Sequence, residues 1–197
     1  MSKKQRTARI HRKTKETEVS LDLNLDGGAA AISTGIGFFD HMLDHLAKHG
    51  RLGIQITAKG DTHVDDHHTV EDVGIVLGQG LDKALGDKKG TERFGFASVP
   101  MDEALARVSI DLSGRSALVF EVKFLSAGGK IGTFDTQLVR EFLTALSSHG
   151  RFNCHVEVPT GQNNHHIAEA IFKGLGRALR QAVSITRDDL PSTKGVL

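Results

Sequence analysis

The pentad His-His-x-x-Glu occurs twice in this chain, as His67-His68-Thr69-Val70-Glu71 and as His165-His166-Ile167-Ala168-Glu169, at corresponding places in two similar halves. The likeness extends beyond the pentads. Phe39-Asp40-His41-Met42-Leu43 through His49-Gly50-Arg51 is matched to Phe134-Asp135-Thr136-Gln137-Leu138 through His149-Gly150-Arg151, at an offset of one hundred residues at the His-Gly-Arg end. Two residues are lost before the second pentad, after which Gly78, Leu81 and Ala84 match Gly176, Leu179 and Ala182. A period this long belongs to no solenoid and is read as a duplicated half-domain. The chain is therefore expected to form a single domain over residues 1–197 from two fused halves, about 1–92 and 93–197.

At 197 residues the chain is long enough to bury a full core without staples. Cys154 is the single cysteine, so no intramolecular disulfide can form. With no signal-type segment and no apolar run of membrane-spanning length, a cytoplasmic protein with no membrane role is expected. The net charge is +1, which lacks the broad basic footprint of a nucleic-acid binder. Lys3, Lys4, Arg6, Arg9, Arg12, Lys13 and Lys15 crowd the N-terminus, and are read as a solvated arm or edge strand. There is no Trp or Tyr to stack on bases, and the ten Phe sit mostly in apolar contexts that suggest core packing, so no nucleic-acid partner is expected.

Alternation around Ala8, Ile10, Val19, Leu21 and Leu23 predicts two strands across residues 7–24, broken at 13–17. Asp26-Gly27-Gly28 marks a turn. A helix is expected over 38–48, a strand over 52–58, a polar loop over 60–66, and then a helix over 67–85. In that last helix Val70, Val73, Leu77, Leu81 and Ala84 recur at three-to-four spacing, and Asp65 and Asp66 are candidate N-caps. The second half repeats the plan, with strands at 106–111 and 117–122, a helix at 136–147, a strand at 152–158 and a helix at 165–184. Asn163 and Asn164 stand in for the capping Asp pair. Gly78 and Gly176 cost helix propensity, which is tolerable if they let the two long helices approach each other closely. Helices gathered on one face of the sheet give an α+β class rather than a doubly wound parallel sheet.

On a helix, residues four apart lie on one face, so His67 with Glu71, and His165 with Glu169, can each clamp one cation. The other histidine of each pair is rotated by about 100°, which turns His68 and His166 toward a second ion. Imidazole and carboxylate without a nearby thiolate suit a first-row divalent metal, and open positions for substrate favour Mn2+. The duplication nominates two further donors, His41 and Glu141, which occupy one position in the first helix of each half. His45 stands between helix surface and site lining, whereas His11, His63 and His155 are read as surface or strand residues.

The chain closely resembles the imidazoleglycerol-phosphate dehydratase family over nearly its whole length. The resemblance rests on Arg12-Lys13-Thr14-Lys15-Glu16-Thr17, Gly35-Ile36-Gly37-Phe38-Phe39-Asp40-His41-Met42, Asp65-Asp66-His67-His68-Thr69-Val70-Glu71-Asp72, Asp111-Leu112-Ser113-Gly114-Arg115, Asn164-His165-His166, and Pro191-Ser192-Thr193-Lys194-Gly195-Val196-Leu197. It implies two mixed β-sheets with helices packed between them, of the ribosomal protein S5 domain 2-like kind. It also implies two Mn2+ ions, one held by His41, His67, Glu71 and His166, the other by His68, Glu141, His165 and Glu169. The partners implied are further copies of the chain, in a 24-subunit homo-oligomer built from trimers with the metal sites between subunits. Two positions depart from the family pattern: Glu141 stands where His is common, and His45 where Gln is common.

The activity implied is loss of water from D-erythro-imidazoleglycerol phosphate to give imidazoleacetol phosphate, a lyase step of histidine biosynthesis in which two metals stabilise an imidazolate. Glu16 is the preferred general acid or base; Glu71 and Glu169 join it in the catalytic set, principally as metal ligands. Substrate contacts are implied for Glu16 and His45 and for the ligands His41, His67, His68, Glu71, His165, His166 and Glu169. The phosphate tail falls to Arg93, Arg115, Lys173 and Lys194, aided by His49, Ser192 and Thr193. The rival enzyme reading is a dinuclear metallohydrolase acting on a phosphorylated small molecule. The non-enzymatic rival is an assembly cemented by metal.

Overall fold

The computed structural model describes residues 5–125 and 129–195, so Lys3 and Lys4 of the basic arm and Val196 and Leu197 of the closing motif lie outside the described residues. Strands β1 (Thr7–Lys13) and β2 (Thr17–Asn24) form an antiparallel hairpin in which Thr7 faces Asn24 and Lys13 faces Glu18. Their alternation buries Val19, Leu21 and Leu23 on one face. The polar break between them is a tight turn: the Thr14 hydroxyl accepts from the backbone N–H of Glu16 at 3.1 Å and of Thr17 at 2.9 Å. The first half continues with β3 (Ala30–Ser33), α1 (Gly37–Gly50), β4 (Gly53–Gly60) and α2 (His67–Leu85). Its sheet has the order β1-β2-β4-β3, with β3 parallel to β4 and the rest antiparallel.

The second half supplies β5 (Phe94–Met101), β6 (Ala104–Asp111), β7 (Ala117–Glu121), a small hairpin β8 (Lys130–Ile131) and β9 (Phe134–Asp135), then α3 (Leu138–Gly150), β10 (Asn153–Thr160) and α4 (Asn164–Val183). The sheet order β5-β6-β10-β7, with β7 parallel to β10, repeats the topology of the first. One expectation needs correction. Phe134-Asp135 is not the counterpart of Phe39-Asp40, because it lies in β9 and the helix begins only at Leu138. The offset of one hundred holds inside the helix, where Met42, Leu43 and Leu46 match Phe142, Leu143 and Leu146, all buried.

Strand β5 went unpredicted for a physical reason. Its large apolar residues face outward, with Phe94 at 55% and Phe96 at 57% exposure, while Gly95, Ala97 and Val99 face inward. The inward residues are small because α4 lies directly on them; a Cβ on Gly95 would come within 1.9 Å of the Ala178 carbonyl oxygen. These two Phe are thus exceptions to the core role expected of the phenylalanines. Phe39, Phe142 and Phe172 do form that core, with ring centroids 5.3 Å apart in each successive pair.

The helices lie between the two sheets. α2 packs on β1 and β2, α4 on β5 and β6, and across the middle α2 meets α3 while α1 meets α4. The paired glycines mark these crossings, although each long helix approaches the short helix of the other half, not the other long helix. A Cβ on Gly78 would lie 2.6 Å from the Leu146 carbonyl oxygen and 2.7 Å from the Gly150 nitrogen. One on Gly176 would lie 2.8 Å from both the Leu46 carbonyl oxygen and the Gly50 nitrogen. The approach of backbone to backbone leaves no space for a side chain.

Candidate active site

Each pentad occupies the first turns of a long helix, and the two copies have nearly the same internal geometry. The His67 and His68 rings are 6.2 Å apart and 83° inclined; the His165 and His166 rings are 6.2 Å apart and 80° inclined. Neighbouring histidines therefore look in different directions, as a 100° helical step requires. Capping differs slightly from expectation. Asn163 caps α4, its side-chain oxygen accepting from the His165 N–H at 2.9 Å. Asp66 holds the N-cap position of α2 without a side-chain hydrogen bond, and Asp65 accepts from the His67 N–H at 2.8 Å.

Around the second pentad, Glu169 is buried at the α1–α4 crossing and gathers four side chains. His165 Nε2 stands 3.1 Å from its Oε2, His45 Nε2 3.2 Å from Oε1, His41 Nε2 3.8 Å from Oε2, and Lys173 Nζ 2.5 Å from Oε1. His41, His45 and Glu169 place ligand atoms within 4.8 Å of one another. Burial raises the Glu169 pKa, but Lys173, His45 and His165 outweigh it and hold the carboxyl below its ordinary range. Burial pushes the His45 pKa down to about 4 against the pull of Glu169, so its ring is neutral and keeps a lone pair near pH 7. His49, one turn further on, is lowered too, first by burial and then by Lys173 and Arg177.

The first pentad is less crowded. His67 is half-buried, Glu71 is exposed, and no ion pair joins them among the described residues. His68 turns Nδ1 to Asp61, 3.0 Å from Oδ2 and 3.3 Å from Oδ1, with Glu16 at 3.9 Å. His166 does the same with another carboxylate, its Nδ1 lying 2.7 Å from Glu103 Oε2. The hydrogen bond from His166 lowers Glu103 to about 2, and the reciprocal bonds raise both histidines. Sequence reasoning missed Asp61, Glu103 and the buried Asp72. A signal existed for one of them: Glu103 immediately precedes β6 as Glu16 immediately precedes β2.

Several proposed side chains are not drawn together within one chain. His41 has Glu169 and His165 beside it, and among the described residues makes no hydrogen bond, ion pair or ring contact with His67, Glu71 or His166. Glu141 is half-buried on α3, at the position of His41 on α1. Of the tail-binding set, Lys173 and His49 line the α1–α4 side, while Arg115 and Lys194 are exposed. Arg93 pairs with Asp111 at 2.7 Å and donates to the Pro191 carbonyl at 2.7 Å, which ties down the segment carrying Ser192, Thr193 and Lys194. His11, His63 and His155 are exposed, as expected.

The donor set fits a divalent first-row cation: imidazoles, that of His45 neutral, beside an ionised, partly buried carboxylate, with no accessible thiolate because Cys154 is buried on β10. A cation held there would polarise a bound ring or hydroxyl, and carboxylates beside it would move protons.

Comparison with known proteins agrees with this geometry. The sequence profile of the imidazoleglycerol-phosphate dehydratase family matches residues 34–179. The imidazoleglycerol-phosphate dehydratases of Ruegeria pomeroyi and Azorhizobium caulinodans are each 58% identical to the chain over 196 residues, covering 98% of it and 100% and 98% of their own lengths. Among solved structures, the enzyme of Staphylococcus aureus superposes with a TM-score of 0.81 at 40% identity, covering 91% of this chain and 99% of its own. That of Pyrococcus furiosus, in complex with (S)-C348, superposes with a TM-score of 0.80 at 37% identity, covering 95% and 100%. With its two matched sheets, its doubled pentad and this likeness over nearly the full length, the chain belongs to the imidazoleglycerol-phosphate dehydratase family.

Proposed function

We propose that the chain removes water from imidazoleglycerol phosphate to give imidazoleacetol phosphate in histidine biosynthesis, in active sites completed where copies of a two-half domain meet. The observation that carries the reading is the pair of pentads with matching ring geometry whose donors, in one chain, remain divided between separate regions. Completion by further copies would unite them. His41, His67, Glu71 and His166 would hold one cation, and His68, Glu141, His165 and Glu169 the other. Two divalent cations, with Mn2+ the proposed species, would supply Lewis acidity to the nitrogens of the substrate ring.

The remaining work falls to this chain's side chains. Dehydration needs a proton taken from carbon and a proton given to the departing hydroxyl, after which the enol becomes the ketone. Glu16 is exposed in the β1–β2 turn, 3.9 Å from His68, and among the described residues no hydrogen bond ties up its carboxylate, so it can exchange protons with substrate. Lys173 and Arg177, whose charges both act on His49, form a positive region suited to the phosphate, with the His49 ring beside them as a hydrogen-bonding group, and Arg115 and Lys194 would add to it.

The test is to strip the protein with chelator, restore Mn2+, and follow both formation of the keto product and the oligomer mass. Turnover returning only with Mn2+ supports the reading. Release of inorganic phosphate without dehydration would replace it by a metallohydrolase, and assembly without turnover by a structural role for the metal.

A further inference from the structure

We propose that Asp61 and Glu103 are positioning residues: each fixes one pentad histidine with its proton on Nδ1, so that Nε2 faces the cation, and Asp61 thereby leaves Glu16 unbonded. The part concerning the cation rests on the proposed function; the part concerning the histidine protons does not.

The duplication shows what has been exchanged. Glu16 and Glu103 occupy one structural position, the last residue of the turn before β2 and before β6. In the second half Glu103 is held on both oxygens, Oε2 by His166 Nδ1 at 2.7 Å and Oε1 by the Gln162 N–H at 2.9 Å. In the first half Glu16 stops 3.9 Å short of His68, whose Nδ1 is already served by Asp61. Asp61 follows the end of β4; the matching residue after β10 is Gly161. No aspartate fits there, because a Cβ on Gly161 would come within 2.5 Å of the Ile167 side chain. The second half thus has Glu103 as its carboxylate for the histidine. The first half has two candidates, and the one nearer to His68 releases the other.

An ionised carboxylate only accepts, so the proton of each contact sits on Nδ1, and a neutral ring then carries its lone pair on Nε2. Partners of this kind orient metal-binding histidines and set their basicity, and removing one typically costs about 10–100-fold in metal affinity. Near His166 Nε2 the exposed Asp102 stands at 3.6 Å, beyond hydrogen-bond distance. The ring nitrogen therefore remains free for a ligand.

The experiment compares the wild type, Asp61→Ala, Glu103→Ala and the milder Glu103→Gln. Ring-nitrogen NMR of the metal-free proteins, at a pH above the titration of both histidines, reads the tautomers. Mn2+ affinity is read by electron paramagnetic resonance, and kcat at saturating Mn2+ completes the set. The expectation is Nδ1–H for His68 and His166 in the wild type. Each variant should mix the tautomers of its own histidine and weaken Mn2+ binding by about 10–100-fold. Excess Mn2+ should restore kcat in the Glu103 variants but not in Asp61→Ala, where Glu16 is drawn onto His68. Wild-type tautomers with unchanged Mn2+ affinity in the variants would overturn the proposal. Absence of Mn2+ binding by the wild type would instead sink the functional reading, leaving the tautomers to decide this one.

Discussion

The turn before β2 and the turn before β6 are built alike and supported differently. Beneath the first, Asp72 is buried and accepts from Arg12 Nε at 3.0 Å and from the Thr17 hydroxyl. At the same three places the second half has Val99, Ala104 and Ala170, all buried and apolar. An ion pair with one partner buried and the other partly solvated adds little over apolar residues that fill the same space, because the buried charge loses its water. The polar support therefore contributes position more than stability. It holds the first turn from below while Glu16 stays free, whereas the second turn is held from above by the carboxylate itself. One scaffold, repeated, carries a carboxylate 3.9 Å from its histidine in one copy and a carboxylate bonded at 2.7 Å in the other.

The sharpest way to break this comparison is kinetic. Glu16→Gln should lower kcat by about 10²–10⁴-fold at saturating Mn2+, with the fold and metal content unchanged; a kcat near the wild-type value would remove the division of labour between Glu16 and Glu103. Next in size are the helix crossings. Gly78→Ala and Gly176→Ala each press a methyl group against backbone that cannot move aside, so a loss of about 3 kcal/mol is expected for each in urea unfolding. Unequal losses would show that the two crossings are not equivalent.

Asp72→Ala strands the Arg12 guanidinium and the Thr17 hydroxyl, and a loss of about 2 kcal/mol is expected, tempered because Arg12 is partly solvated. Transplanting the apolar set as Arg12→Val, Thr17→Ala and Asp72→Ala should recover most of that stability yet leave kcat low. Recovery of both would mean that the polar support does not position Glu16. The smallest effect concerns matched strands, where Cys154 on β10 takes the place of Ile54 on β4, both fully buried. Burial pushes the Cys154 thiol up to about 12, so alkylation at mildly alkaline pH should be negligible until the protein unfolds. Rapid labelling of the native protein would show that the second sheet opens more readily than the first.

Much of this was legible from residues alone. The long helix from His67 to Leu85 matches its apolar spacing end to end, and β1 and β2 break where the polar residues interrupt them. β5 was hidden because its bulky side chains face solvent and its small ones face α4, the reverse of the pattern that marks a strand. β3 was hidden by brevity, four residues with a single half-buried position. The doubled pentads announced themselves, since His and Glu at helical spacing carry their own geometry. Asp61 and Glu103 did not, since each meets its histidine through a turn and only the packed sheet brings them within 3.0 Å.

The sequence by itself determined that one unit is built twice, where its helices and most of its strands run, and that each long helix opens on a histidine pair, because periodicity and local spacing act within a few residues. The tertiary structure alone decided which helix each glycine meets, that His41 and His45 lie against Glu169, and which carboxylate serves which histidine. Those contacts join residues far apart in the chain, and their distances are set by the closeness of packing between sheets and helices, a quantity that no local pattern encodes.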